Sequence, residues 1–372
     1  GTIRPVIGSL IIELYDVFKV GGDNLFATQD IAYHRVQKRL MANAYTPTAL
    51  RELESMVYEE GVLRLVDRLY AHADAGETVD MMVLLKHMTF DIIGKVALGK
   101  SFKLLDTPSE SIPIIEWINA STMLGMMFAR NMVEQRRNSG RGAHKDTLQQ
   151  LIDAVDEKTG STMSNDDIVA QTIMLMVAGT ETTAVTLVWA LYFVTAYPEY
   201  ARKLRAEIMA TYPDPSTPLS YERIRSCAYL EAFLRESMRM RPIVCIGFLR
   251  RMPAHGITLG GHYIPEGCAV ASSVIVMDFD ERVFPSPDTF QPERWITTPE
   301  QLAVMKQHSL PFSMGVRACI ARDLAWMELK LTLVQLLRRF TFTPSPDNDM
   351  TPIERFVLRP RKDQFLVQPH RI

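Results

Sequence analysis

The chain carries no surplus of charge: 41 Lys and Arg stand against 43 Asp and Glu, a formal net charge of -2. A nucleic-acid partner, which needs a basic patch to neutralise phosphates, is therefore not expected. Cysteine is scarce, four in 372 residues (Cys227, Cys245, Cys268, Cys319). That is too few for the disulfide framework of a small secreted domain, and a reduced, cytosol-facing setting is the simpler expectation. There are no heptads, no Gly period, no internal repeats and no low-complexity stretch, which excludes coiled-coil rods and collagen-like chains. The early apolar run, residues 7–14, is short, contains Glu13 and is closed by Asp16; it reads as neither signal peptide nor membrane span. No Gly-rich dinucleotide fingerprint precedes a helix. What remains is globular usage, 47% hydrophobic and 23% charged, which excludes a disordered chain.

The first two-thirds predict helices. Apolar residues recur at three- and four-residue spacing over residues 32–45, 47–73 and 79–98. Thr46 is placed as an N-cap before Pro47. Residues 103–113 and 136–145 predict loops. The longest helix starts at Ser164, where Asp167 three residues on makes a capping-box-like start, and runs to Pro198. Its length, about 45 Å, would suit a membrane. The polar segment Gly179-Thr180-Glu181-Thr182-Thr183 at its middle argues otherwise, because a carboxylate at bilayer depth is costly. Further helices are expected over 199–211 and up to Arg241-Pro242. Residues 243–276, cut by Gly and Pro, predict short strands. Residues 284–311 read as an irregular connection, residues 321–340 as an amphipathic helix, and Phe342 and Phe365 as parts of late strands.

Three motifs carry chemistry. In Phe312-Ser-Met-Gly315-Val-Arg317-Ala-Cys319, a lone Cys follows a Gly-containing turn and directly precedes a helix. Unpaired N–H groups at a helix start favour a thiolate of lowered pKa, a metal ligand or nucleophile. Against that, a Cys is more often a small buried hydrophobe. Glu236 and Arg239 share a helix face at i,i+3, but Glu134/Arg137, Glu199/Arg202 and Glu222/Arg225 have the same spacing and such pairs are usually solvated. Finally, Glu181 and a run of hydroxyls sit in an otherwise apolar helix, where buried polar groups need a reason.

Together these elements resemble the cytochrome P-450 family. Phe-x-x-Gly-x-Arg-x-Cys is similar to its heme-binding loop, the Glu-x-x-Arg pair and the Phe290-Gln-Pro-Glu-Arg294-Trp segment stand in the family's order, and Ala178-Gly-Thr-Glu-Thr-Thr is similar to the helix motif lying over the heme. The resemblance implies that Cys319 is the axial ligand of heme b iron, that Arg317 pairs with a propionate, that Gly315 permits the tight bulge and that Phe312 shields the sulfur. It implies that Glu181 and Thr182 deliver protons to dioxygen while Ala178 and Gly179 leave room, and that Glu236, Arg239 and Arg294 form a structural cluster holding the Cys loop. His34 and Lys38, with Arg39 sharing the role, and Arg250 are the implied propionate partners. Ala321 stands where the family usually has Gly.

The expected fold is therefore mainly α with a small β-rich part, a P-450-type triangular helical fold. A single catalytic domain over 1–372 is expected: a helical body about 30–242, a strand-rich part about 243–276 and the thiolate loop 312–321. An N-terminally truncated chain is expected, lacking the anchor and first strands and shortened between 102 and 146. The implied function is a heme-dependent monooxygenase acting on an apolar small molecule in secondary or xenobiotic metabolism. Met174, Val177, Ala178 and residues 243–248 are the candidate pocket. Electrons come from NADPH through NADPH-cytochrome P-450 reductase, and the enzyme is expected as a monomer on the cytosolic face of the endoplasmic reticulum membrane, most like fungal membrane-bound members. Two alternatives stay open: a heme-thiolate isomerase or dehydratase acting on peroxides, and a non-catalytic remnant.

Overall fold

The computed structural model describes residues 15–106, 122–140, 142, 144–245, 247 and 249–372. Ile246 and Phe248, two of the expected pocket residues, lie outside the described residues. Eleven helices of seven residues or more are numbered here: α1 Ile31–Ala42, α2 Pro47–Val57, α3 Arg64–Ala75, α4 Met81–Leu98, α5 Thr122–Arg137, α6 Thr147–Asp153, α7 Asn165–Ala196, α8 Pro198–Thr211, α9 Ala228–Met240, α10 Pro299–His308 and α11 Arg322–Leu337. The strands are β1 Val79–Asp80, β2 Arg250–Arg251, β3 Ile257–Leu259, β4 His262–Ile264, β5 Ala269–Val270, β6 Phe340–Pro344, β7 Pro352–Arg355, β8 Val357–Pro360 and β9 Leu366–Arg371.

Helix α7 is the axis of the body. Its start is the expected capping box: the Asp167 N–H donates to the Ser164 hydroxyl at 3.1 Å, and the Ser164 N–H donates to the Asp167 carboxylate at 3.2 Å. Its apolar residues are buried against α4 on one side and against α9 and α11 on others. The α4 approach is close because Gly179 has no side chain. A Cβ there would lie 2.8 Å from the Ile93 side chain, so glycine is required by helix packing. The Thr89 hydroxyl of α4 lies 2.9 Å from the Thr180 carbonyl of α7, a hydrogen-bond contact between the two helices. Although α7 is long and apolar enough to cross a membrane, most of it is buried in the core.

The residue 47–73 pattern is not one helix. It is α2 and α3 joined by a π-helical segment, Tyr58–Leu63. There Gly61 lets α4 in so closely that an added Cβ would meet Ile92 at 2.3 Å. The expected amphipathicity of α11 is also corrected. Leu324 and every residue from Trp326 to Leu337 are buried, including Glu328, Lys330 and Gln335. Being hydrophobic almost all round, α11 is a core helix. Residues 284–311 are not wholly irregular, since Thr298 caps α10. The strand-rich part is thinner than expected: it forms two pairs, β2 with β5 and β3 with β4. The late strands exist and do more. β9 pairs with both β1 and β6 in an antiparallel sheet, and β7 and β8 form a hairpin tied to α7 by the Trp189 indole, which donates to the Leu358 carbonyl at 2.8 Å.

Candidate active site

The loop that carries Cys319 is built from two residues in left-handed backbone, Ser313 at φ 58° and Gly315 at φ 70°. A Cβ on Gly315 would meet nothing within 4 Å, so its demand is conformational and not spatial. The turn closes when the Cys319 N–H donates to the Phe312 carbonyl at 2.9 Å. Phe312 packs beside Trp326, ring centroids 6.1 Å apart. Ala321 follows as the N-cap of α11 at φ -92°, a conformation open to any L-residue, so the missing glycine costs the loop nothing.

The sulfur lies deep in the protein, yet Cys319 is solvent-accessible. Both hold if the side chain faces an internal space. The lowered thiol pKa expected from the helix start is not found. Burial pushes it up, and the Ala321 N–H with the positive charges of Arg322 and Lys38 offset only part of that. Desolvation of the thiolate wins over the few donors at a helix start. Metal coordination reverses the balance, because a coordinating thiol is deprotonated outright.

Helix α7 contributes a second accessible surface inside the body. Ala178 is exposed, and Met174, Val177, Glu181 and Thr182 are partly exposed, in a helix whose neighbouring positions other than Gly179 are buried. These positions follow i, i+3, i+4, i+7 and i+8, one stripe along one face. The Thr182 hydroxyl donates to the Ala178 carbonyl at 2.7 Å. Glu181 is paired with Lys86 of α4 at 3.3 Å and with Arg359 of β8 at 3.0 Å. Asp363 shares both cations, at 3.2 Å and 3.1 Å. Neither Lys86 nor Arg359 is visible as a partner from sequence, being 95 and 178 positions away.

Three cations gather beside the loop. Lys38 donates from Nζ to the Val316 carbonyl at 2.5 Å. Arg317 donates to the Thr28 carbonyl at 2.9 Å and is close enough to Arg250 for the two charges to oppose each other. Arg250 donates to the Tyr15 hydroxyl at 3.1 Å. Among the described residues none of the three has a carboxylate partner. Arg39, expected to share the Lys38 role, is instead committed to Asp156 through two hydrogen bonds of 2.8 and 2.7 Å. A cleft of about 250 Å³ opens at His34, Arg35, Lys38, Arg39 and Val316. His34 itself is buried, and burial first, then Arg317 and Lys38, lower its pKa to about 4. In the heme-free chain it is expected to stay uncharged at pH 6. Its contribution to stability is then fully present above the ordinary value near 6.5 and lost as pH falls toward 4. Histidine-resolved NMR titration checks this, and a midpoint near 6.5 refutes it.

The Glu236 cluster forms as expected and is more extensive. Glu236 and Arg239 are both 0% exposed. The carboxylate accepts from Arg239 at 2.9 and 2.8 Å, from Arg294 at 3.0 Å, and also from the Trp295 indole at 2.8 Å and the Gln291 N–H at 3.0 Å. The two guanidiniums spend their remaining donors on carbonyls of Asp278, Pro285, Ser286 and Thr289. The cluster therefore staples residues 278–295. Among the described residues its hydrogen bonds beyond α9 go to residues 278–295 and not to the Cys319 loop, so any hold on the loop is indirect.

The residues present fit a metal-centred group that carries negative charge of its own, as the resemblance to a heme-binding loop implies. No set of three His, Cys, Asp or Glu able to hold a bare metal ion is found among the described residues. A metal at Cys319 must therefore bring its other ligands with it. Lys38, Arg317 and Arg250, which have no carboxylate partner among the described residues, would pair with carboxylates on such a group, and the accessible α7 stripe would be left free for a substrate. Such a loop and helix define the heme-thiolate class.

Comparison with known proteins gives the family. The cytochrome P450 family model matches residues 15–130 and 118–367, and this chain belongs to that family. It is 29% identical over 93% of its length to the cytochrome P450 monooxygenase helB2 of Aspergillus fumigatus, covering 76% of that protein. It is 31% identical over 87% of its length to the cytochrome P450 monooxygenase stcF of Emericella nidulans, covering 72% of it. In fold it matches the crystal structure of a cytochrome P450 with a TM-score of 0.86 at 23% identity, over 96% of this chain and 86% of the other. The expected mainly-α fold is borne out. The chain is a heme-dependent monooxygenase, an oxidoreductase that places one atom of molecular oxygen in a small-molecule substrate and draws electrons from a redox partner.

Proposed function

We propose that the chain hydroxylates an apolar small molecule in secondary or xenobiotic metabolism, using Thr182 and Glu181 to supply protons. The observation that carries this is the accessible stripe of α7, apolar at Met174, Val177 and Ala178 and polar at Glu181 and Thr182. Bound heme supplies the activation of dioxygen and the insertion chemistry. Cys319 is the proposed iron ligand, and Lys38, Arg317 and Arg250 would hold the propionates, with His34 lining the same cleft as Lys38. Gly315 and Phe312 shape the loop. Ala178 lines the open face, whereas Gly179 serves the packing of α4. The hydrophobic stripe excludes water and orients the substrate. The Thr182 hydroxyl donates its one hydrogen to the Ala178 carbonyl, so in this arrangement its lone pairs accept a hydrogen bond and hold a proton donor in place; relaying a proton requires the hydroxyl to turn its own hydrogen from that carbonyl to the acceptor.

The proposed electron donor is an NADPH-cytochrome P-450 reductase, with this chain a monomer at the endoplasmic reticulum membrane. Supporting that donor is a cleft of about 430 Å³ behind the loop, lined by Phe312, Arg225, Arg235, Lys306, Arg322 and Lys330 against only Glu231 and Asp323. A positive cleft favours an acidic partner through steering. A peroxide isomerase would have no use for the Glu181/Thr182 pair. The match in fold over 96% of the chain weighs against a remnant.

Replacing Thr182 by Ala should leave heme binding intact and lower product formed per NADPH by about a hundredfold, the low end for loss of one general acid–base group. Hydrogen peroxide should rise in step. Product and NADPH assays on the same sample check this, and unchanged coupling contradicts the proton role.

A further inference from the structure

Glu181 and three charges around it are arranged as a ring, and none of the family motifs contains Lys86, Arg359 or Asp363. Each carboxylate touches both cations: Lys86 lies 3.3 Å from Glu181 and 3.2 Å from Asp363, and Arg359 lies 3.0 Å from Glu181 and 3.1 Å from Asp363. Two positive and two negative charges make the ring neutral. Lys86 and Arg359 are 17% and 15% exposed, the two carboxylates 33% each. The ring is thus wet enough for its ion pairs to exchange and dry enough for them to matter. Asp80, which shares the end of β1 with the start of α4, is the next acid outward. It is tied to the Phe365 and Met82 N–H groups at 2.9 Å each and stays outside the ring.

We propose that Asp363 is a positioning residue for proton delivery: it competes with Glu181 for Lys86 and Arg359, so that Glu181 can leave the ring without stranding two cations. With Asp363 in place, Glu181 gives up its contacts and the cations keep a counter-charge. Without it, both cations have only Glu181, and the acid is pinned. Only O–H bonds change along this route: once free of the ring, the Glu181 carboxylate takes a proton from hydronium of bulk solvent, hands it on toward Thr182 and is left again as the carboxylate that the two cations can re-bind. Arg359 carries the spare capacity the exchange needs, since its buried Nε has no hydrogen-bond partner. This inference rests on the proton-delivery role proposed for Glu181.

Asp363→Asn is the test. Asp363 sits at φ 52°, a left-handed conformation that Asn adopts readily, so the backbone is spared. In the heme-loaded enzyme, product per NADPH under reductase and oxygen should fall about tenfold, the factor that corresponds to roughly one pKa unit of lost counter-charge. Turnover driven by iodosylbenzene, which delivers an oxygen atom without needing protons, should be unchanged. A second readout does not use activity. The melting temperature of the heme-loaded protein should drop further for Glu181→Gln in the Asp363→Asn background than in the wild type, because the competitor is gone. Equal drops in melting temperature, or parallel loss of both routes of turnover, overturn the proposal. If the wild type itself makes no product by either route, the oxygenase reading fails, while the melting comparison still decides whether the two carboxylates compete.

Discussion

Cys319→Ser is expected to yield a folded protein that has lost the red-shifted Soret band of its reduced carbon monoxide complex and all product formation above background. The fold is spared for a local reason. The contact that closes the loop is the Cys319 backbone N–H to the Phe312 carbonyl, which serine keeps. Thiol and hydroxyl differ little in size, and the side chain faces open space. The chemistry is not spared. Burial already pushes the Cys319 thiol above its ordinary value, and only partial relief comes from the Ala321 N–H and nearby cations. A serine hydroxyl in the same place has no prospect of ionising, and an anionic sulfur is what favours O–O cleavage in heme-thiolate enzymes. Far-UV circular dichroism should be unchanged, while difference spectroscopy with carbon monoxide and product assays read the loss. Retention of the thiolate band in the serine variant would require another ligand. Cys227 and Cys245 are buried and Cys268 half-buried, whereas Cys319 is exposed, so each would have to be uncovered to take its place.

How far the sequence reaches depends on how local each interaction is. The capping box at Ser164, the Thr46 cap and the Cys319 loop are made from residues within about eight positions of one another, so spacing alone discloses them. The Ala321 departure resolves equally locally, since its backbone angles suit any residue. The Glu236 cluster was half legible. The i,i+3 pair and Arg294 follow from motif order, but Trp295 and the Gln291 N–H are found only when residues 289–295 fold back on α9. Least legible was the setting of Glu181, because its partners come from α4 and β8 and carry no periodicity linking them to α7. Periodicity also misjudged α11. It was expected to be amphipathic, yet its Glu328, Lys330 and Gln335 are all buried. Lys330 is paired with Glu231 of α9 at 3.2 Å, a partner 99 positions away, and burial lifts the pKa of Glu328 to about 8, so that this acid is neutral in the core.

Glu236→Gln should be the most destabilising conservative change in the chain, about 3–5 kcal/mol, because it leaves two buried guanidiniums facing a neutral amide. Glutamine keeps the shape but replaces one oxygen by an NH₂ that must face donors. Arg239, Arg294, the Trp295 indole and the Gln291 N–H all point at that carboxylate, and no orientation of the amide satisfies them. A fall in Tm of roughly 5–15 °C is expected. The control is built into the same sequence. Glu222 and Arg225 have the same i,i+3 spacing and meet at 3.2 Å, but their side chains are 80% and 60% exposed. Glu222→Gln should cost no more than about 0.5 kcal/mol, since solvent screens the pair and rehydrates the arginine. Thermal melts of the two variants side by side isolate burial as the variable. If they melt together, the Glu236 carboxylate is not the keystone of residues 278–295, and the five hydrogen bonds it accepts count for no more than one solvated pair on the surface.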